Sequence, residues 1–141
     1  MIPGSIPSRG PVMAISRFFV VLTGLVFLVY GLGFIVMPAL LSQWVVGAVP
    51  EPGAPMTDVR ATYGGLSVAV GVMLLLLSRS ALRLGLVTVL LLMVCMAAGR
   101  AYGLSVDAGT NTFMIVYLIL EAAAAAVAGM LLLADKGANA E

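Results

Sequence analysis

Residues Thr112–Ala134 read TFMIVYLILEAAAAAVAGMLLLA, and Glu121 is the only charge in that run. Twenty or so apolar residues wound as a helix at 1.5 Å each reach about 30 Å, the thickness of a bilayer's hydrocarbon core. A strand of a membrane barrel would be about ten residues long and would alternate in polarity. This run is continuous, so it reads as a helix. A carboxylate at its centre costs roughly 2.5–3.5 kcal/mol in lipid, so it needs a partner, a proton or a task.

Three more runs of the same kind precede it. They place spans at about residues 15–37, 58–78, 84–104 and 110–134. The fold class expected is all-α: a four-helix transmembrane bundle in which residues 1–141 form a single integral membrane domain. Composition agrees. The chain is 62% hydrophobic and only 9% charged, against about 25% charged in an ordinary soluble domain, so lipid must be its solvent. The first span is longer than a signal-peptide core and no clear cleavage site follows it, so it is expected to be retained. The leader Met1–Pro11, rich in Pro, Gly and Ser, is expected to be irregular.

Pro38 ends the first span. After it, Leu40, Leu41, Trp44 and Val45 fall at helical spacing, which predicts a short interfacial helix over Pro38–Gly47 with Trp44 as a headgroup-level anchor. Pro50, Pro52, Gly53 and Pro55 then predict an extended turn. Basic residues set the orientation. Arg9, Arg17, Arg79, Arg83 and Lys136 fall at one end of the four-span arrangement, and Glu51, Asp58 and Asp107 fall at the other. The positive-inside rule then places both termini in the cytoplasm.

Several function classes are excluded. The net charge of +1 leaves no footprint for nucleic acid. Histidine is absent and the carboxylates are scattered, so no metal or haem site is expected and no cofactor is assigned. Cys95 is the only cysteine. It is expected to be a small core residue. No catalytic constellation is visible, so the chain is not expected to be an enzyme.

Helices in lipid associate through small residues that let backbones approach. The second span offers Gly64, Gly65, Ser67 and Gly71, the first offers Gly24 and Gly31 one heptad apart, and the fourth offers Ala122 through Ala126, Ala128 and Gly129. These faces serve either internal packing or docking of another subunit. Tyr30-Gly31-Leu32 is echoed by Tyr102-Gly103-Leu104, as two duplicated hairpins would show. Asp107, Gly109 and Asn111 read as a turn, with Thr110 or Asn111 capping the fourth helix.

The charges inside the spans carry the functional reading. At 1.5 Å per residue, Arg60 lies about 3–5 Å deep, Arg100 about 6 Å and Glu121 about 15 Å. An arginine side chain can extend inward to meet Glu121. Tyr63 follows Arg60 by three residues, and Tyr117 lies one turn from Glu121. Arg60, Tyr63, Arg100, Tyr117 and Glu121 are therefore the candidate polar cluster. One reading is a buried ion pair that fixes helix register. A second counts two guanidinium groups against one carboxylate. The excess positive charge would suit a phosphate or carboxylate headgroup, or a quinone carbonyl. A third is proton transfer by a protonated Glu121, but no second carboxylate or histidine continues the path.

The string Arg60-Ala61-Thr62-Tyr63-Gly64-Gly65, followed by Gly71, Gly99-Arg100 and Glu121, resembles a bacterial family of four-helix membrane proteins known as a domain of unknown function. The likeness covers roughly Phe18 to Leu133. It implies a bacterial inner membrane location and a characteristic set of Arg60, Tyr63, Gly64, Gly65, Arg100 and Glu121, but no activity. The architecture is also similar to DoxX-like proteins, some of which associate with quinone-linked redox complexes; that is a likeness of fold. The expected function is a non-enzymatic accessory or scaffold subunit, in contact with membrane lipids and with other membrane subunits or copies of itself. The alternative is a binding or transport protein for a lipid, quinone or small anion at the Arg/Glu cluster.

Overall fold

The computed structural model describes residues 9–107 and 111–137, and the side chains of Arg9, Lys136 and Gly137 are outside that description. The leader up to Ser8 and the turn residues Gly109 and Thr110 also lie outside the described residues.

Every described element is helical. Helix α1 spans Arg9–Val36 and α2 spans Pro38–Val45. Ala54–Ser80 is continuous and has three parts: α3 (Ala54–Val59), a π-helical segment (Arg60–Gly65) and α4 (Leu66–Ser80). Helix α5 spans Leu82–Val106 and α6 spans Thr112–Gly137. Four helices are long and apolar enough to cross a membrane: Gly10–Val36, Ala54–Ser80, Leu82–Val106 and Thr112–Asp135.

Two boundaries differ from the sequence reading. Residues 9–11 are already helical, and Pro55 lies in the first turn of α3. Proline is tolerated there because the first N–H groups of a helix have no internal partner. Gly53, at φ 101°, supplies the left-handed backbone just before α3. Pro38 acts as expected. It stops α1 and then starts α2, with the chain turning at Met37.

Helix α1 packs mainly on α4, and α5 mainly on α6; the two hairpins share thinner contacts. In the first hairpin the glycines meet in antiparallel register. A Cβ on Gly71 would lie 2.7 Å from the carbonyl oxygen of Gly24, and one on Gly31 would lie 2.7 Å from that of Gly64. Gly65, expected among the helix-packing residues, is exposed and meets no other helix. One residue is about 100° of a helix, so Gly64 and Gly65 cannot both face α1. Ser67 is buried on the packed side.

The turn between α4 and α5 is the single residue Ala81, whose N–H is accepted by Leu77 at 2.9 Å. Close by, the apolar core of Val20, Leu74, Leu86, Val89, Met93 and Ala128 fills the half of the bundle nearest this turn. Cys95 is not in it. The sequence reading placed Cys95 in the core, but it lies on the exposed face of α5. In a helix that is apolar all round, an apolar neighbourhood does not separate core from lipid.

The Tyr-Gly-Leu echo also fails to give equivalent environments. Tyr30 is half-buried, whereas Tyr102 is 70% exposed.

Candidate functional site

The half of the bundle away from the apolar core holds the buried charge. Glu121 lies about 14 Å along the axis from the start of α6, and Arg100 about 9 Å from the end of α5. The two helices run antiparallel, so both depths are measured from the same end. The arginine stem covers the difference, its methylenes lying along apolar surface.

Arg100 Nη2 donates to Glu121 Oε1 at 2.7 Å. Its Nε donates to Oε2 at 3.0 Å and to Oε1 at 3.2 Å. The remaining nitrogen, Nη1, donates to the Met114 sulfur at 3.0 Å. The guanidinium carbon also lies 5.2 Å from the centre of the Tyr117 ring, within cation–π range. Met114, Tyr117 and Glu121 are successive positions on one face of α6. Arg100 therefore grips a whole stripe of its neighbour. Glu121 is only 5% exposed, so it points into the bundle and not at lipid.

Arg60 is placed elsewhere. Its guanidinium donates to the Ile35 carbonyl at the end of α1. The reason is local. A helix leaves its last carbonyls without partners, and Pro38 has no N–H to offer them. Met37 N–H reaches Gly33, and Arg60 reaches Ile35. A positive charge at a helix C-terminus is also favoured by the helix dipole. Arg60 thus caps α1, and the ion pair counts one guanidinium against one carboxylate. The two-to-one excess expected from the sequence does not form at Glu121.

Tyr63 stacks on the buried Phe34 ring with centroids 5.3 Å apart, and Phe34 in turn meets Tyr30 at 4.8 Å. Tyr30 lies within electrostatic reach of Tyr63, Tyr117, Arg100 and Glu121. Sequence reasoning missed Tyr30 and Met114. Met114 was legible in principle, since it shares the stripe of Tyr117 and Glu121. Tyr30 was not, because nothing in the chain says which face of α1 turns toward α5 and α6. The π-helical turn was also missed. It coincides with the Arg60–Gly65 string that carries the family resemblance, and such widened turns occur often at functional sites.

Helix α2 lies at the same end of the bundle. Its Pro38, Ser42 and Val45 are buried, while Trp44 points away with 60% exposure. Asn111 fastens this end. Its Oδ1 accepts the Met114 N–H at 3.0 Å, which caps α6, and its Nδ2 donates to the Val45 carbonyl at 3.3 Å. Among the described residues, no group of three His, Cys, Asp or Glu is placed to hold a metal ion.

Comparison with known proteins gives one finding. The model of a family described as a domain of unknown function, DUF4345, matches residues 15–132. No curated protein and no solved structure matches the chain.

Proposed function

This chain belongs to the DUF4345 family, a domain of unknown function, and from that premise we propose that it is a non-enzymatic accessory or scaffold subunit of a larger membrane assembly. The observation that carries this reading is a division of labour among the small residues. Gly24, Gly31, Gly64 and Gly71 are consumed inside the α1–α4 hairpin. On α6, Ala124, Ala125 and Ala128 pack inward on the core, whereas Ala122, Ala123 and Ala126 are exposed. A Cβ on Gly129 of α6, or on Gly99 of α5, would meet nothing within 4 Å. Ala122, Ala126, Gly129 and the exposed Leu133 form one stripe of α6. A small-residue stripe of this kind lets a foreign helix approach closely, and close packing is what joins helices in lipid.

The charges fit the same reading. Arg100 is spent on Glu121 and Arg60 on Ile35, so both internal cations hold the subunit together. The basic end, with Arg17, Arg79 and Arg83, faces the cytoplasm in this proposal, and the membrane is the bacterial inner membrane.

The test is extraction in a mild detergent followed by sizing. The assembly is expected to run larger than one chain, with a partner or a second copy at stoichiometric yield. Ala126→Leu or Gly129→Leu, both on the open stripe, should release that partner and leave the helical circular dichroism unchanged. A lone monomer that recovers no partner would overturn the proposal.

A further inference from the structure

The two arginines of the polar half spend their nitrogens in the same pattern. Arg100 gives Nη1 to the Met114 sulfur and its Nε–Nη2 edge to the Glu121 carboxylate. Arg60 gives Nη1 to the Ile35 carbonyl. Its own Nε–Nη2 edge makes no hydrogen bond or ion pair among the described residues, and the residue is exposed. That edge is the two-donor fork that matches a carboxylate or a phosphate. In Arg100 the fork is filled, and in Arg60 it is open.

The open fork is held in place. A Cβ on Gly64 would lie 2.6 Å from the Ile35 side chain and 3.2 Å from its backbone nitrogen. The π-helical segment therefore presses on the very residue whose carbonyl Arg60 binds. Arg60 and Gly64 meet the end of α1 at two points, and the widened turn closes with the Leu66 N–H donating to the Ala61 carbonyl.

Charge and depth select the occupant. Ile35 is one residue from the end of α1, and the interfacial α2 starts at Pro38, so the fork opens where tails give way to headgroups. Of the seven Lys and Arg residues, Arg9, Arg17, Arg79, Arg83 and Lys136 lie at the opposite end, and Arg100 has Glu121. Arg60 is the one left without an acid. Glu51, Asp58 and Asp107 lie toward its end of the bundle, but none pairs with it. With those acids near, no broad positive field gathers anions here, and recognition rests on the fork itself. Leu32, Val36 and Leu66, on the helices that flank it, are exposed apolar side chains.

We propose that the Nε–Nη2 edge of Arg60, steadied by Ile35, grips the phosphate of a phospholipid in the leaflet at the α2 end, with its acyl chains on Leu32, Val36 and Leu66. The site stands apart from the open stripe of α6, to which Arg60 does not belong.

The experiment uses the full chain in dodecyl maltoside micelles, which carry no phosphate. Two photoreactive probes with the same tails are added, a phosphatidylglycerol and a diacylglycerol. Saturable labelling beside Arg60 by the phosphatidylglycerol is expected, with little from the diacylglycerol. Excess inorganic phosphate should not displace it, because the acyl chains add apolar contact. Arg60→Gln should lower the labelling about tenfold, through loss of a charge-assisted pair. Arg60→Lys keeps a charge for Ile35 but has no fork, so a fall of about threefold or more is expected without loss of the fold. Arg17→Gln, at the basic end, should label as the parent does. The proposal is overturned by any of five results: no saturable labelling by the phosphatidylglycerol, equal labelling by the diacylglycerol, displacement by inorganic phosphate, parent-level labelling of Arg60→Lys, or labelling lost in Arg17→Gln. Release of a membrane partner by Arg60→Lys would give the fork to a partner's carboxylate and overturn it too.

Discussion

The two hairpins solve one problem with opposite chemistry. In α1–α4, glycines remove side chains so that backbones nearly touch, with Gly71 against Gly24 and Gly31 against Gly64. In α5–α6, the fastening is a long charged side chain, Arg100, reaching the buried Glu121. The first device is steric and fails when an atom is added. The second is electrostatic and fails when a charge is removed. The contrast also separates the Arg83–Asp135 pair from the Arg100–Glu121 pair. Arg83 and Asp135 lie 4.0 Å apart with both side chains substantially exposed, and such a pair contributes little. The Arg100–Glu121 pair is short and almost sealed, so breaking it leaves a charge with no water to turn to.

Removing one partner of that pair should have the largest effect. Glu121→Ala is expected to cost about 3–5 kcal/mol in thermal or denaturant unfolding in detergent. Arg100→Leu combined with Glu121→Leu should recover most of the loss, since apolar replacement removes the stranded charge as well. If the single and double variants are equally unstable, the electrostatic account of the second hairpin is wrong.

In the first hairpin, Gly71→Ala would press a methyl against Gly24 and Leu28 backbone atoms at 2.7 and 2.8 Å. The expected cost is about 1–3 kcal/mol, with α1 losing hydrogen-exchange protection before α5 and α6. Loss of protection spread evenly over all four spans would mean that the hairpins do not act as separate units. Smaller again is Asn111→Ala, which removes the cap of α6 and its tie to α2. About 1 kcal/mol should be lost, with faster exchange in Pro38–Val45. A variant whose α2 exchanges as slowly as before would show that Asn111 does not fasten it.

The smallest effect sharpens the steric half of the comparison. Gly65 is the sequence neighbour of Gly64 but is open, so Gly65→Ala should stabilise by about 0.5–1 kcal/mol through helix propensity alone. A destabilised Gly65→Ala protein would show that both neighbours are packed.

What could be read before folding follows from these particulars. The four spans, the short helix after Pro38 and the partnership of Arg100 with Glu121 were all legible. Each rests on a local signal: an unbroken apolar run, a proline, or a charge too costly to leave in lipid. The antiparallel glycine match was half legible, because the heptad spacing of Gly24 and Gly31 and of Gly64 and Gly71 is in the chain but their pairing is not. Cys95 and Tyr30 were misplaced or missed for one reason. Lipid and protein core are both apolar, so a span that is apolar all round carries no stripe to say which side turns inward.

The sequence by itself determined that the chain lies in a membrane as four helices, since so few charges cannot clothe a surface in water. It also determined that Glu121, in the middle of a span, needs a partner, a proton or a task. Only the tertiary structure decided that Arg60 caps α1 while Arg100 alone neutralises the acid. Both arginines carry the same charge at similar depth, and the choice between them is made by which helix ends beside which. One open carbonyl at Ile35, left where Pro38 ends α1, was enough to turn an expected cationic site into a neutral one.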